Sequence, residues 1–62
     1  MFTIHLADSP EAALPGLTFD TLADAAQETE FLLTETGKVH EVRATLDCAA
    51  GKAGEVVYTS KG

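Results

Sequence analysis

Hydrophobic and polar positions alternate in two places along this 62-residue chain, with one stretch of helical period between them and a β-branched, aromatic stretch after them. Over residues 2–7, Phe2, Ile4 and Leu6 fall on one side and Thr3, His5 and Ala7 on the other, the period-2 signature of a half-buried strand. Asp8-Ser9-Pro10 ends it, because proline has no ladder donor and Asp and Ser favour bonds to their own backbone. Residues 11–18 hold a second breaker, Pro15-Gly16, between Leu14 and Leu17, and read as a loop that dips two leucines toward the core. Residues 39–46 alternate again, with His40, Val42, Ala44 and Leu46 opposite Val39, Glu41, Arg43 and Thr45. Residues 47–54, small and twice interrupted by glycine, predict a flexible hairpin loop. Residues 55–60 are β-branched and aromatic, apolar on both faces through Val56, Val57 and Tyr58, which suits a central strand.

The helical stretch is residues 20–36. Leu22, Ala25, Ala26, Leu32 and Leu33 form one narrow stripe at about 100° per residue. Thr21-Leu-Ala-Asp24 is a loose capping box, with Phe19 upstream able to pack on the first turn. Gly37 suits the left-handed position that ends a helix, with Lys38 and His40 close to the negative end of its dipole. Phe31 points away from the stripe. Asp20, Asp24, Gln27, Glu28 and Glu35 surround it, so the sequence predicts an aromatic ring standing in water among carboxylates. Phe31, Asp20, Asp24, Glu28 and Glu35 are the candidate partner-binding residues.

The order β-α-β-β predicts a single α+β domain. A crossover sets the first two strands parallel, and inserting the last strand between them makes every neighbouring pair antiparallel. The expected sheet has three strands in the order 1-3-2, with the helix on one face. The other face, carrying Thr3, His5, Val39, Arg43 and Val57, is expected to be largely bare. The expected core is Ile4, Leu6, Leu22, Ala26, Leu33, Val42, Leu46 and Val56.

Charge and size narrow the functional classes. Ten acidic against four basic residues give a net charge of −6, which repels nucleic-acid phosphates and anionic lipid headgroups, so neither direct nucleic-acid nor membrane binding is expected. No apolar run approaches the ~20 residues of a membrane span, and no basic segment precedes an apolar one at the start. The one cysteine, Cys48, has no internal partner; a reducing, cytoplasmic setting is the expectation. A chain this short buries only about 60% of its unfolded surface, which leaves little room for an enclosed active site.

The chemistry-bearing residues do not assemble into a motif. His5, His40 and Cys48, with Asp8 or Asp47, lack the spacing of a metal site, so neither a metal nor a cofactor is expected. Cys48 has no neighbouring histidine to serve as a general base. Asp24, Glu28 and Glu35 share an exposed helix face with no apolar pocket to separate their pKa values. No phosphate-cradling glycine motif follows a strand. The reading is therefore non-enzymatic.

Phe19-x-x-Leu22-x-x-Ala25, then Glu41-Val42-Arg43, then Gly54-Glu55-Val56-Val57-Tyr58-Thr59-Ser60 resembles short bacterial and phage proteins of β-α-β-β layout. That resemblance implies a fold and no shared activity. Two functional readings follow. One is a small acidic protein-interaction module with a protein partner of basic character, able to form a homodimer through a sheet edge or the bare face. The alternative is an acidic inhibitor encoded by a phage or mobile element, in which the ridge of Asp20, Asp24, Glu28 and Glu35 mimics nucleic acid in the groove of a nucleic-acid-handling protein.

Overall fold

A computed structural model describes residues 1–61. Its elements are β1 (Phe2–Leu6), β2 (Ser9–Phe19), α1 (Leu22–Thr36), β3 (His40–Ala44) and β4 (Val56–Thr59). The α+β class holds, with one helix on an antiparallel sheet, but the sheet has four strands in the order β2-β1-β3-β4. This corrects the three-stranded 1-3-2 arrangement. The inserted strand is the first in the chain, not the last, and the strand expected at the centre, β4, lies at an edge.

The correction comes from β2, expected to be a loop. Proline is compatible with a sheet at an edge, where its missing N–H faces away from the neighbouring strand, and β2 is an edge strand. It is also heavily bulged. Phe2 pairs with Phe19 and Thr3 with Thr18, but His5 pairs with Ala13, so Leu14-Pro15-Gly16-Leu17 stand opposite the single residue Ile4. Gly16 makes that excursion possible with φ of 76°. The two leucines do dip inward as expected, half-buried against the core.

β1 and β3 form the middle of the sheet, and Ile4 opposes Val42 with both side chains fully buried. Phe2, Ala25 and Ala44 complete the buried apolar cluster. Thr21 caps α1, its Oγ1 accepting from the Asp24 N–H at 3.2 Å, and Gly37 ends the helix with φ of 74° and an N–H bond to the Leu33 carbonyl at 2.9 Å. The buried helix row runs through Leu22, Ala25, Thr29 and Leu32. Thr29 is tolerated there because its hydroxyl donates to the Ala26 carbonyl at 2.7 Å, leaving no polar atom stranded.

Several expected core residues lie elsewhere. Leu6, Ala26 and Leu33 are only half-buried, while Leu46 is 67% and Val56 45% exposed. β3 ends at Ala44, so Leu46 falls beyond the sheet. Val56 is displaced by a second irregularity: Val42 opposes Tyr58 but Arg43 opposes Val56, so Val57 is the extra residue and the alternation of β4 changes there.

The far end of β4 is fastened to the helix. The Glu30 carboxylate accepts the Tyr58 hydroxyl and the Lys61 backbone N–H, the latter at 3.0 Å. The Lys61 ammonium sits 5.7 Å from the centre of the Tyr58 ring. Donation to Glu30, some desolvation and the carboxylate's charge together raise the Tyr58 pKa above its ordinary value.

Two outcomes follow from this arrangement. Ile4→Ala should cost about 2–5 kcal/mol in denaturant unfolding, whereas Leu46→Ala should stay within about 0.5 kcal/mol. Because the folded phenol holds its proton more tightly than the unfolded one, its contribution to stability is complete below the unfolded pKa and is lost as pH rises through the folded value. Tyr58 is the only tyrosine and there is no tryptophan, so an ultraviolet phenol titration reads it alone; Glu30→Gln should shift its midpoint downward.

Candidate functional site

The site begins where β2 hands over to α1. Phe19, the last residue of β2, pairs with Phe2 and packs its ring partly against the core. Two residues later the Thr21 cap starts the helix, and Asp24 falls in the first turn, where the dipole favours a negative charge. Asp24, Gln27, Glu28 and Phe31 then recur at helical spacing on one face. With Phe19 they line an open groove of about 370 Å³, at the small end of ligand-binding clefts. Phe31 is 55% exposed. The lining therefore combines two phenyl rings with two carboxylates and an amide.

Among the described residues, no cation lies within 4 Å of a carboxylate of this groove. Among the described residues the one ion pair within 4 Å joins Arg43 to Glu41, on the sheet. Of the five residues singled out from the sequence, the structure brings Phe31, Asp24 and Glu28 into the groove. Asp20 and Glu35 are exposed but do not line it. Phe19 was missed as a site residue because it was read only as support for the first turn. Its position just ahead of the cap, on the side of Asp24, was the available signal.

The sheet face away from the helix is less bare than expected. Thr3, His5 and Arg43 are half-buried and Val39 is exposed, while Val57, expected on this face, packs half-buried against the core. Polar side chains on this face satisfy one another. His5 places Nε2 2.9 Å from the Thr3 hydroxyl and Nδ1 2.9 Å from the Pro10 carbonyl, which can only accept, so Nδ1 carries a proton. Arg43 donates from Nε to Glu41 at 2.6 Å and from Nη1 to the Gly54 carbonyl at 3.0 Å, and Glu41 is buried by the pairing.

The remaining reactive groups stay apart. His40 is buried with Nδ1 2.9 Å from the Lys38 carbonyl. Cys48 is exposed in a turn whose backbone bonds to Gly51 close the loop at 2.8 and 3.1 Å. That loop, expected to be flexible, is further tied by Asp47 to the Ala53 N–H at 2.8 Å and by Glu55 to the Lys52 N–H at 2.9 Å. No three His, Cys, Asp or Glu side chains among the described residues converge as metal ligands. No described helix is long and apolar enough to cross a membrane.

Compared with known proteins, the chain matches no family model, and no curated protein or solved structure is similar to it. Function therefore has to be argued from the groove itself.

Because Phe31 keeps more than half its surface in water, Phe31→Ala should change unfolding free energy by less than about 1 kcal/mol. A loss of about 3–5 kcal/mol, the range for a core phenylalanine, would show that the ring supports the fold instead.

Proposed function

We propose that this chain is a non-enzymatic protein-interaction module that receives a basic segment of a protein partner in the groove between Phe19 and Phe31. The observation that carries the reading is the pairing, in one open groove, of two phenyl rings with two carboxylates that have no cation within 4 Å among the described residues. Lysine and arginine side chains match both kinds of lining group. Their cationic heads lie favourably over aromatic faces, worth about 0.5–1 kcal/mol when exposed and about 2 kcal/mol when desolvated. Arginine can in addition bond a carboxylate bidentately. Covering Phe31 adds an apolar gain of roughly 2 kcal/mol, and the net charge of −6 speeds encounter with a basic partner.

The same charge turns away phosphate backbones and anionic lipid, which keeps nucleic acid and membranes off the list of direct ligands. An exposed, unpaired Cys48 suits a reducing compartment such as the cytoplasm. The ridge reading, with Asp20, Asp24, Glu28 and Glu35 imitating phosphates, uses charge alone. The phenyl rings at its centre have no part in such an imitation, so the module reading accounts for more of the surface.

Binding to immobilised peptides of matched length tests the proposal. Arginine- and lysine-rich peptides carrying an apolar residue should bind, and acidic or neutral ones should not. Phe31→Ala should weaken capture by about tenfold, corresponding to about 1.4 kcal/mol, and reversing Asp24 and Glu28 to lysine should abolish it. Equal binding by the parent and both variants would exclude the groove as the binding surface.

A further inference from the structure

The two edges of this sheet are treated differently by the sequence. β2 carries Pro10, Pro15, Gly16 and Glu11, residues that stop another strand from adding on. β4 reads Val-Val-Tyr-Thr, with no proline, glycine or charge inside it. Oppositely charged, exposed residues stand at its two ends, Glu55 before it and Lys61 after it.

The backbone of β4 is also set to pair again. The Ser60 N–H bonds to the His40 carbonyl at 3.0 Å, and Glu41 opposes Thr59. Antiparallel alternation then turns the N–H and C=O of the intervening Thr59 away from β3, toward the open side. Val57, the extra residue of the bulge, has no residue opposite it on β3.

From these features we infer that β4 is a homodimer edge, to which a second copy of this chain adds its own β4 antiparallel across a two-fold axis at Tyr58. Charge selects that register. With Tyr58 opposite its symmetry mate, Glu55 of each copy comes opposite Lys61 of the other just beyond the strand ends, where two opposite-charge pairs would replace the contacts of Glu55 with its own Lys52 N–H and of the Lys61 ammonium with its own Tyr58 ring. A shift of two residues either way loses both pairs. In this register Thr59 of one copy stands opposite Val57 of the other, the two positions just described, and the two Tyr58 side chains become a cross-strand aromatic pair. Each Tyr58 is already steadied by Glu30, so little ordering is needed on association. The sheet continues as β2-β1-β3-β4 followed by its mirror order, and Phe19, on β2, leaves a groove at each far end. The inference goes beyond the groove reading and does not depend on it.

Charge reversal with complementation tests it. The parent chain should sediment as a monomer–dimer equilibrium between micromolar and millimolar concentration. Lys61→Glu alone and Glu55→Lys alone each place like charges at both ends and should weaken association by about tenfold. An equimolar mixture of the two variants restores both opposite-charge pairs in the heterodimer and should recover the parent affinity. Circular dichroism of each variant confirms that it is folded. Oxidative photo-crosslinking adds a positional readout: with one tyrosine per chain, any dityrosine formed joins Tyr58 to Tyr58. Dityrosine that appears with the dimer and is lost on dilution supports the register. A parent chain monomeric at millimolar concentration overturns the inference, as does a dimer without dityrosine or a mixture that associates no better than either variant alone.

Discussion

The strand that begins the chain has a neighbour on each side, and the rest of the structure depends on that constraint. β1 pairs antiparallel with β2 and with β3, so β2 and β3 run parallel with β1 between them, and α1 is the crossover that joins the two. A strand in that position must be satisfied along both edges and covered on at least one face. Phe2 and Ile4 supply the covered face, with Ile4 against Val42 beneath Ala25 and Thr29. Small side chains at 25 and 29 let the helix settle close to the sheet, and larger ones would lift it from the pair that holds the two central strands together. On the other face the exposed polar alternatives are consumed internally, Thr3 with His5 and Glu41 with Arg43. That face has few unspent groups with which to bind anything.

Much of this was legible in the sequence where one local rule acted alone. Thr21 and Gly37 mark the helix ends because cap chemistry is set by single residues. Phe2, Ile4, Val42 and Ala44 show the period of their strands, and the structure buries all four. β2 was illegible because its edge position licenses the prolines that otherwise deny a strand, and because four residues opposite Ile4 erase the alternation. Thr29 lies outside the apolar stripe because it is polar, and its burial depends on the bond of its hydroxyl to the preceding turn. Val56 was misplaced because a bulge reverses facing, and nothing in Val-Val-Tyr-Thr announces which valine is the extra one. The site divides in the same way. Phe31, Asp24 and Glu28 lie opposite the buried row by helical period alone, whereas Phe19 reaches the groove through a strand that the pattern concealed.

The basic residues explain why the groove keeps its charge. Four cations serve ten carboxylates, and the structure commits two of them elsewhere: Arg43 to Glu41 and Gly54, Lys61 to the Tyr58 ring beside Glu30. Lys38 and Lys52 lie in the connections before β3 and β4, away from the groove lining. Asp24 and Glu28 stand four residues apart in α1, a spacing that costs a few tenths of a kcal/mol for a like-charged pair in a helix, and Asp20 adds a further negative charge just ahead of the cap. Asp24 recovers part of this from the dipole of the first turn; Glu28, a turn further in, recovers less.

Phe31 deepens that imbalance. An exposed aromatic in the interior of a helix gains little from burial, and its helix propensity is below that of the Ala, Leu, Gln and Glu around it. Neither the carboxylates nor the ring is accounted for by the stability of the monomer, whose helix is held by Leu22, Ala25, Thr29 and Leu32 on the opposite side. Each becomes favourable once a cation with an apolar stem lies across the groove. The charge repulsion is then offset, the ring is covered, and the ordering has been done in advance by a capped helix on a bulged strand. A surface that is mildly unfavourable alone and favourable when occupied is what the proposed interaction requires. At the β4 edge, the dimer we propose would likewise bring the exposed Glu55 and Lys61 of one copy opposite Lys61 and Glu55 of the other.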